Sequence, residues 1–201
     1  MTPAKRLLDL FCALGLTIVL APFVIVVAIL ILVLDGRPIF YISERMKTQT
    51  EGFRLVKFRT MKVVEEDSGV SGGDKSARIT KTGAFLRGAR VDEVPQLWNV
   101  WKGDISFIGP RPPLRQYVEQ FPEIYSKVLK SRPGVSGLAS IYFHAHEEYL
   151  LANATSREET DEIYSRACIP RKARIDLIYQ ARRNICMDIS LMLKSVIKRL
   201  R

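Results

Sequence analysis

Two adjacent acids, Asp92 and Glu93, stand among arginines: Arg87 and Arg90 before them, Arg111 after them. Carboxylates set in that much positive charge suit acid chemistry aimed at an anion. Phosphate is the anion that guanidinium forks hold best. A carboxylate can attack phosphorus and form an acyl phosphate. It can also hold a magnesium ion that bridges phosphate oxygens. The other reading of the pair is structural, with one acid capping a helix and its neighbour facing solvent beside the arginines. Pro95 is tolerated only in the first turn of a helix. This predicts a helix starting near Asp92, with Asp92 at or beside its N-cap, where free backbone N–H groups favour an anion. Helical spacing then puts Asp92, Gln96 and Asn99 on one surface. Glu93 is turned about 100° from Asp92, so the neighbours reach one site from two sides and cannot share one role.

Other chemistry is sparse. The chain has neither a GxxxxGK[ST] phosphate loop nor a GxGxxG fingerprint. His144-Ala145-His146-Glu147-Glu148 has zinc-like spacing if it lies on a strand, but the chain has only two histidines. The segment reads better as a surface turn or a polar edge. Cys12, Cys168 and Cys186 have no metal-ligand spacing and no disulfide framework, which fits a reducing compartment. Asn153-Ala154-Thr155 matches a glycosylation acceptor in form only.

The elements that must position the acids follow from local pattern. Glu51–Met61 is rich in Phe, Val and Thr and reads as a strand, paired in a hairpin with extended Ile39–Ile42. Val63–Lys75, with four acids and three glycines, reads as a surface loop. Helices are expected over Ile79–Ala89, Leu114–Leu129, Ser156–Ser165 and Lys172–Asn184. Arg132-Pro133-Gly134 reads as a turn and Val135–Phe143 as extended.

The 201 residues are 47% hydrophobic and carry a net charge of +10, and the first 35 contribute only Lys5, Arg6, Asp9 and Asp35. The basic charge therefore sits in the body and implies anionic partners: nucleic acid, lipid headgroups or phosphorylated substrates. Leu10–Leu34 is 25 residues without a charge. At about 1.5 Å per residue it is long enough to cross a bilayer core of about 30 Å. It lacks the small-x-small exit of a cleaved signal peptide. Thr2 and Pro3 start a helix, and Pro22 kinks or breaks it. A kinked spanning helix and a re-entrant one both fit. Basic flanks at both ends (Lys5 and Arg6; Arg37 and Arg45) favour the re-entrant form, which keeps both on the cytoplasmic side. Met187–Arg201 is amphipathic with a basic face, suited either to a membrane interface or to packing on the core.

Taken together, the motifs are recognisable. KFRTM (Lys57–Met61), Arg87 with Asp92-Glu93 five residues on, DEVPQLWNVWKGDISFIGPRP through Pro112, RPGVSGLA (Arg132–Ala139) and Tyr179 followed by Asp188–Lys194 resemble the bacterial sugar transferases, the small monotopic phosphoglycosyl transferases. The likeness runs nearly end to end. It implies an α+β, mostly helical fold: an N-terminal re-entrant helix–break–helix (1–35) and a compact cytoplasmic catalytic domain (36–201) with a small β-hairpin and interfacial amphipathic helices. It implies that Asp92 attacks the β-phosphate of a UDP-sugar, releases UMP, and passes the sugar-phosphate to polyprenyl phosphate, in bacteria usually undecaprenyl phosphate. Asp92 would also contact Mg2+, and Glu93 would act as acid/base or orient groups. Arg87 and Arg111 would contact phosphates, with Lys57 and Arg59 in the same cleft. Placement at the cytoplasmic face of the bacterial inner membrane and a possible homodimer follow from the same likeness.

Three departures stand out: Ala21 where Ser often precedes the breaking proline, Met46-Lys47 where a glycine turn is usual, and Leu138 where tryptophan is frequent. Ile141–Ile169 matches least well and bears on sugar or lipid preference. Two other functions fit the composition. A tethered basic module would bind nucleic acid or anionic lipid without catalysis, although its aromatic residues do not interleave with basic ones as a stacking platform requires. A hydrolase would share the aspartyl phosphate but use water as acceptor. No nucleic acid partner is expected on the leading reading.

Overall fold

A computed structural model describes residues 1–64 and 73–199. Glu65, Glu66 and Asp67 of the expected surface loop lie outside the described residues. The long apolar segment is one helix, α1 (Pro3–Leu34), of 32 residues. Thr2 caps it, its hydroxyl accepting from the Lys5 N–H at 3.3 Å, and Pro3 sits in the first turn. Pro22 lies inside it.

Lys5, Asp9, Ala13, Val27 and Ile31 are the buried residues of α1. At 100° per residue these five fall within an arc of about 80°. One stripe of the helix therefore faces the body near both ends. Ala13 packs with Phe53, Leu55 and Val100, and Val27 and Ile31 pack with Phe58 and Leu86. The opposite face leaves Leu7, Phe11, Ile18, Val19 and Val33 each more than two-thirds exposed.

The hairpin forms as expected, with a first strand longer than Ile39–Ile42 and a second shorter than Glu51–Met61. Strand β1 (Phe40–Met46) pairs antiparallel with β2 (Gly52–Phe58), in register from Phe40 opposite Phe58 to Met46 opposite Gly52. Helix α2 (Lys81–Gly88) follows, capped by Thr80. A 3-10 turn (Val91–Gln96) then feeds α3 (Leu97–Lys102). Strand β3 (Ser106–Ile108) pairs parallel with β4 (Gly134–Ser136). Gly109 and Gly137 let these segments touch, because a Cβ on Gly109 would collide with the Arg132 carbonyl and one on Gly137 with the Gly109 carbonyl.

The rest is helical: α4 (Arg115–Gln120), α5 (Pro122–Val128), α6 (Leu138–Tyr142), α7 (His144–Leu151), α8 (Arg157–Ile163), a π-helical turn (Tyr164–Cys168), α9 (Ile169–Arg182) and α10 (Ile185–Arg199).

Three expectations need correction. Leu114–Leu129 is two helices, parted at Phe121 (φ −126°, ψ 58°), because Pro122 drives the residue before it out of helical geometry. Val135–Phe143 is not extended beyond Ser136. The chain turns into α6, whose first turn brings the Ala139 N–H toward the Asp176 carboxylate. His144–Glu148 is helical, so its two histidines point about 200° apart and the strand-like zinc geometry is absent. Among the described residues no group of three or more His, Cys, Asp or Glu side chains is placed to hold a metal.

Helix α10 packs on the body along one face and leaves apolar residues exposed on another. Asp188, Leu191 and Ser195 are buried, whereas Ile189, Leu193, Val196 and Ile197 are exposed.

Candidate active site

The acids lie in the 3-10 turn, not at the cap of an α-helix. The turn is entered through Arg90, whose backbone is left-handed at φ 56°, and no side chain caps it. Asp92 and Glu93 occupy its first turn and are both buried, at 8% and 5% exposure. A non-glycine residue held at positive φ is strained, and such strain collects at functional sites.

The 3-10 geometry overturns the expectation that Asp92, Gln96 and Asn99 share a surface. At three residues per turn, positions four apart diverge by about 120°. Gln96 is buried away from the cleft that Asp92 lines. Asn99 is fully buried and ties α3 to the hairpin. Its Oδ1 accepts from the Val56 N–H at 3.1 Å, and its Nδ2 donates to the Arg54 carbonyl at 2.7 Å and to Asp104 at 3.1 Å.

Asp92 and Glu93 face a cleft of about 810 Å³ that Lys57, Arg59, Arg87, Arg90 and Arg111 also line. The cations differ in availability. Arg59 donates to the Pro38, Asp35 and Gly36 carbonyls at 2.6–2.7 Å, so its guanidinium secures the chain where α1 meets β1. Arg87 donates from Nε to the Thr60 hydroxyl at 2.8 Å. Arg111 presents a side chain that is 41% exposed.

Glu93 is the hub. Its Oε1 takes Lys57 Nζ at 3.0 Å and both terminal nitrogens of Arg111 at 3.3 Å, with Arg90 at 3.8 Å. Burial alone would push its carboxyl up, but Lys57, Arg111 and Arg90 outweigh burial and hold it well below the usual carboxylate range. Burial also lowers Lys57, aided by Arg111 and opposed by Glu93 and Asp92.

Asp92 is different. Burial raises its pKa, the Glu93 charge adds to that, and Lys57, Arg87 and Arg90 pull it down. Its Oδ1 is buried and accepts no hydrogen bond among the described residues. A buried, unsatisfied carboxylate oxygen is costly unless something binds it. It suits a nucleophile, and it also suits a hard cation. Magnesium typically takes one or two carboxylates together with substrate phosphates and water. Asp92 beside bound phosphates fits that pattern without a wholly protein-built cage.

Sequence reasoning missed a second set of cleft residues: Glu147, Tyr164, Lys172 and Asp176. Lys172 Nζ lies 2.9 Å from Glu147 and donates to the Tyr164 hydroxyl at 3.1 Å. Asp176 is pushed up to about 7 by burial, with Lys172 and the Ala139 N–H opposing. Lys172 and Asp176 are four apart on the buried face of α9. An opposite-charge pair on a buried stripe was the one available signal. Their partners come from other elements and leave no local trace.

Comparison with known proteins fits this constellation. The bacterial sugar transferase family matches residues 1–201. An Aeromonas hydrophila protein named UDP-N-acetylgalactosamine-undecaprenyl-phosphate N-acetylgalactosaminephosphotransferase is 35% identical over 68% of this chain and 33% of its own length. A Klebsiella pneumoniae protein named UDP-glucose:undecaprenyl-phosphate glucose-1-phosphate transferase is 32% identical over 81% of this chain and 36% of its own. The chain thus spans about a third of the length of these two relatives. An exopolysaccharide production protein of Rhizobium leguminosarum is 34% identical over 98% of this chain and 94% of its own. With the match covering every residue, and the acidic pair set in its ring of cations, the chain belongs to the bacterial sugar transferase family.

Proposed function

We propose that this protein transfers a sugar 1-phosphate from a UDP-sugar to a polyprenyl phosphate, undecaprenyl phosphate in bacteria, as the first membrane step of surface glycan assembly. The observation that carries the proposal is Asp92 Oδ1: buried, without a partner among the described residues, on a residue lining a cleft whose cations suit phosphates.

In the first step an Asp92 oxygen bonds to the β-phosphorus while the bond from that phosphorus to the bridging oxygen breaks. UMP leaves with the electron pair, and an aspartyl-phosphosugar remains. In the second step a phosphate oxygen of the polyprenyl phosphate bonds to the same phosphorus. The acyl phosphate bond breaks, Asp92 is restored, and the product is a polyprenyl-diphospho-sugar. The exposed Arg111 fork and Arg87 suit the equatorial phosphate oxygens. Glu93 is too acidic to carry a proton at neutral pH. Its role is to fix Lys57 and Arg111 beside Asp92. Magnesium, which Asp92 would help to hold, would supply charge neutralisation on the phosphates.

Two observations support attachment to a single leaflet. At about 1.5 Å per residue α1 is about 48 Å long. Both of its ends nevertheless touch the same body: Lys5 reaches Asp188 at 2.6 Å, and Asp35 accepts from the Thr80 hydroxyl at 3.1 Å. A helix crossing the bilayer would carry one end away from a cytoplasmic body. A re-entrant or surface-lying helix keeps both ends beside it.

The test is UMP release from a panel of UDP-sugars with undecaprenyl phosphate and magnesium. Asp92→Asn should lose at least about a thousandfold in kcat, the scale at which enzymes lose a nucleophile. Unchanged turnover in that variant would refute the mechanism.

A further inference from the structure

Arg111 lies within electrostatic reach of both Glu93 and Glu147, and so links two differently charged regions of the cleft. Around Asp92 cations are in excess. Around Asp176 the balance is closer, because Lys172, the cation that acts on Asp176, is matched by Glu147 at 2.9 Å and hydrogen-bonded to Tyr164. This second region suits an uncharged group.

Asp176 is 7% exposed, lines the cleft and uses only part of its carboxylate. The Ala139 N–H at the start of α6 lies near enough to favour its charged form, which accounts for a capping role. The other oxygen, Oδ1, is buried and accepts no hydrogen bond among the described residues. Capping does not explain why that oxygen, on a residue that lines the cleft, should be buried without a donor. A phosphate would be repelled by it, and an apolar chain would leave it unsatisfied. A hydroxyl or amide N–H would satisfy it.

We propose that Asp176 Oδ1 accepts a hydrogen bond from a hydroxyl or amide N–H on a neutral ring of the UDP-sugar, making Asp176 a substrate-binding and specificity-determining residue. The inference rests on the UDP-sugar reading above. Either the transferred pyranose or the ribose carries this chemistry, and the experiment separates them.

The intact chain is reconstituted in lipid nanodiscs as wild type, Asp176→Asn and Asp176→Ser. Both replacements keep an acceptor for the Ala139 N–H. Asparagine turns an N–H₂ donor toward the cleft, and serine withdraws from it. UMP release is measured with UDP-glucose, UDP-galactose, UDP-N-acetylglucosamine and UDP-N-acetylgalactosamine, together with inhibition by UMP. The expected result is a loss of at least tenfold in kcat/KM, carried by KM. A loss unequal among the four sugars, with UMP inhibition unchanged, assigns the contact to the pyranose. An equal loss with a matching weakening of UMP inhibition assigns it to the ribose. Values within twofold of wild type throughout overturn the proposal, as does a loss confined to kcat. Should Asp176→Asn fail to fold, the serine variant decides on the same criteria, and failure of both to fold assigns Asp176 to capping alone and overturns the proposal. A wild type that releases UMP from none of the four sugars refutes the functional reading, and this inference falls with it.

Discussion

Asp92 and Glu93 are neighbours in the chain with opposite proton affinities. Glu93 pairs directly with Lys57, Arg90 and Arg111, whereas the cations near Asp92 act on it from farther off, so burial prevails only at Asp92. On the proposed mechanism the nucleophile works ionised. Activity should therefore fall as pH drops through the raised Asp92 pKa, and kcat/KM for UMP release plotted against pH reads it directly. Glu93 has a depressed pKa, so the stability it contributes is fully present above its unfolded value, about 4.3. That stability is lost as pH falls through the lower folded value. Replacing Glu93 by Gln leaves Lys57 buried without its counter-charge. Breaking a buried pair in this way costs about 3–5 kcal/mol. A thermal melt of Glu93→Gln should show a loss of that order at pH 7, and UMP release should fall with it. The motif pointed to six residues that line the cleft: Lys57, Arg59, Arg87, Asp92, Glu93 and Arg111. It could not reveal that Arg59 and Asn99 are taken up by backbone groups, because residue type does not say where a side chain's hydrogen bonds go.

At the scale of elements, the hairpin and the long apolar helix were readable because alternation and hydrophobic length are local properties. The 3-10 turn was not, since Pro95 is equally compatible with the start of an α-helix. Its consequence is large: it redirects Gln96 and Asn99 inward and makes α3 a brace for β2. Asn99→Ala removes three hydrogen bonds and strands part-buried backbone groups of Arg54 and Val56. The expected loss is about 2–4 kcal/mol by chemical denaturation. The Lys172 and Asp176 region was illegible for a different reason. Its members come from α7, the π-turn and α9, and only packing brings Glu147, Tyr164 and Lys172 together.

For the whole molecule, the exposed apolar face of α1 and that of α10 give the body two greasy surfaces, and a basic cleft lies in the same body. On the proposed function, these surfaces suit a molecule that draws one substrate from water and the other from lipid. The single-leaflet arrangement predicts that cysteines placed before Pro3 and after Leu34 react with a membrane-impermeant maleimide from the same side of sealed vesicles. Labelling from opposite sides would establish a spanning helix.

The buried Lys5–Asp188 pair also sets an order of events during synthesis. Lys5 donates to Asp188 at 2.6 Å and to Tyr179 at 3.2 Å, and both partners lie more than 170 positions later in the chain. At about 5–20 residues per second, Lys5 waits about 10–40 s on the ribosome before its counter-ion exists. Until then α1 meets the lipid with an unpaired ammonium near one end, and the body cannot close around it. The final helix acts as a latch, and a nascent chain halted before it would hold its membrane segment but not its native seat.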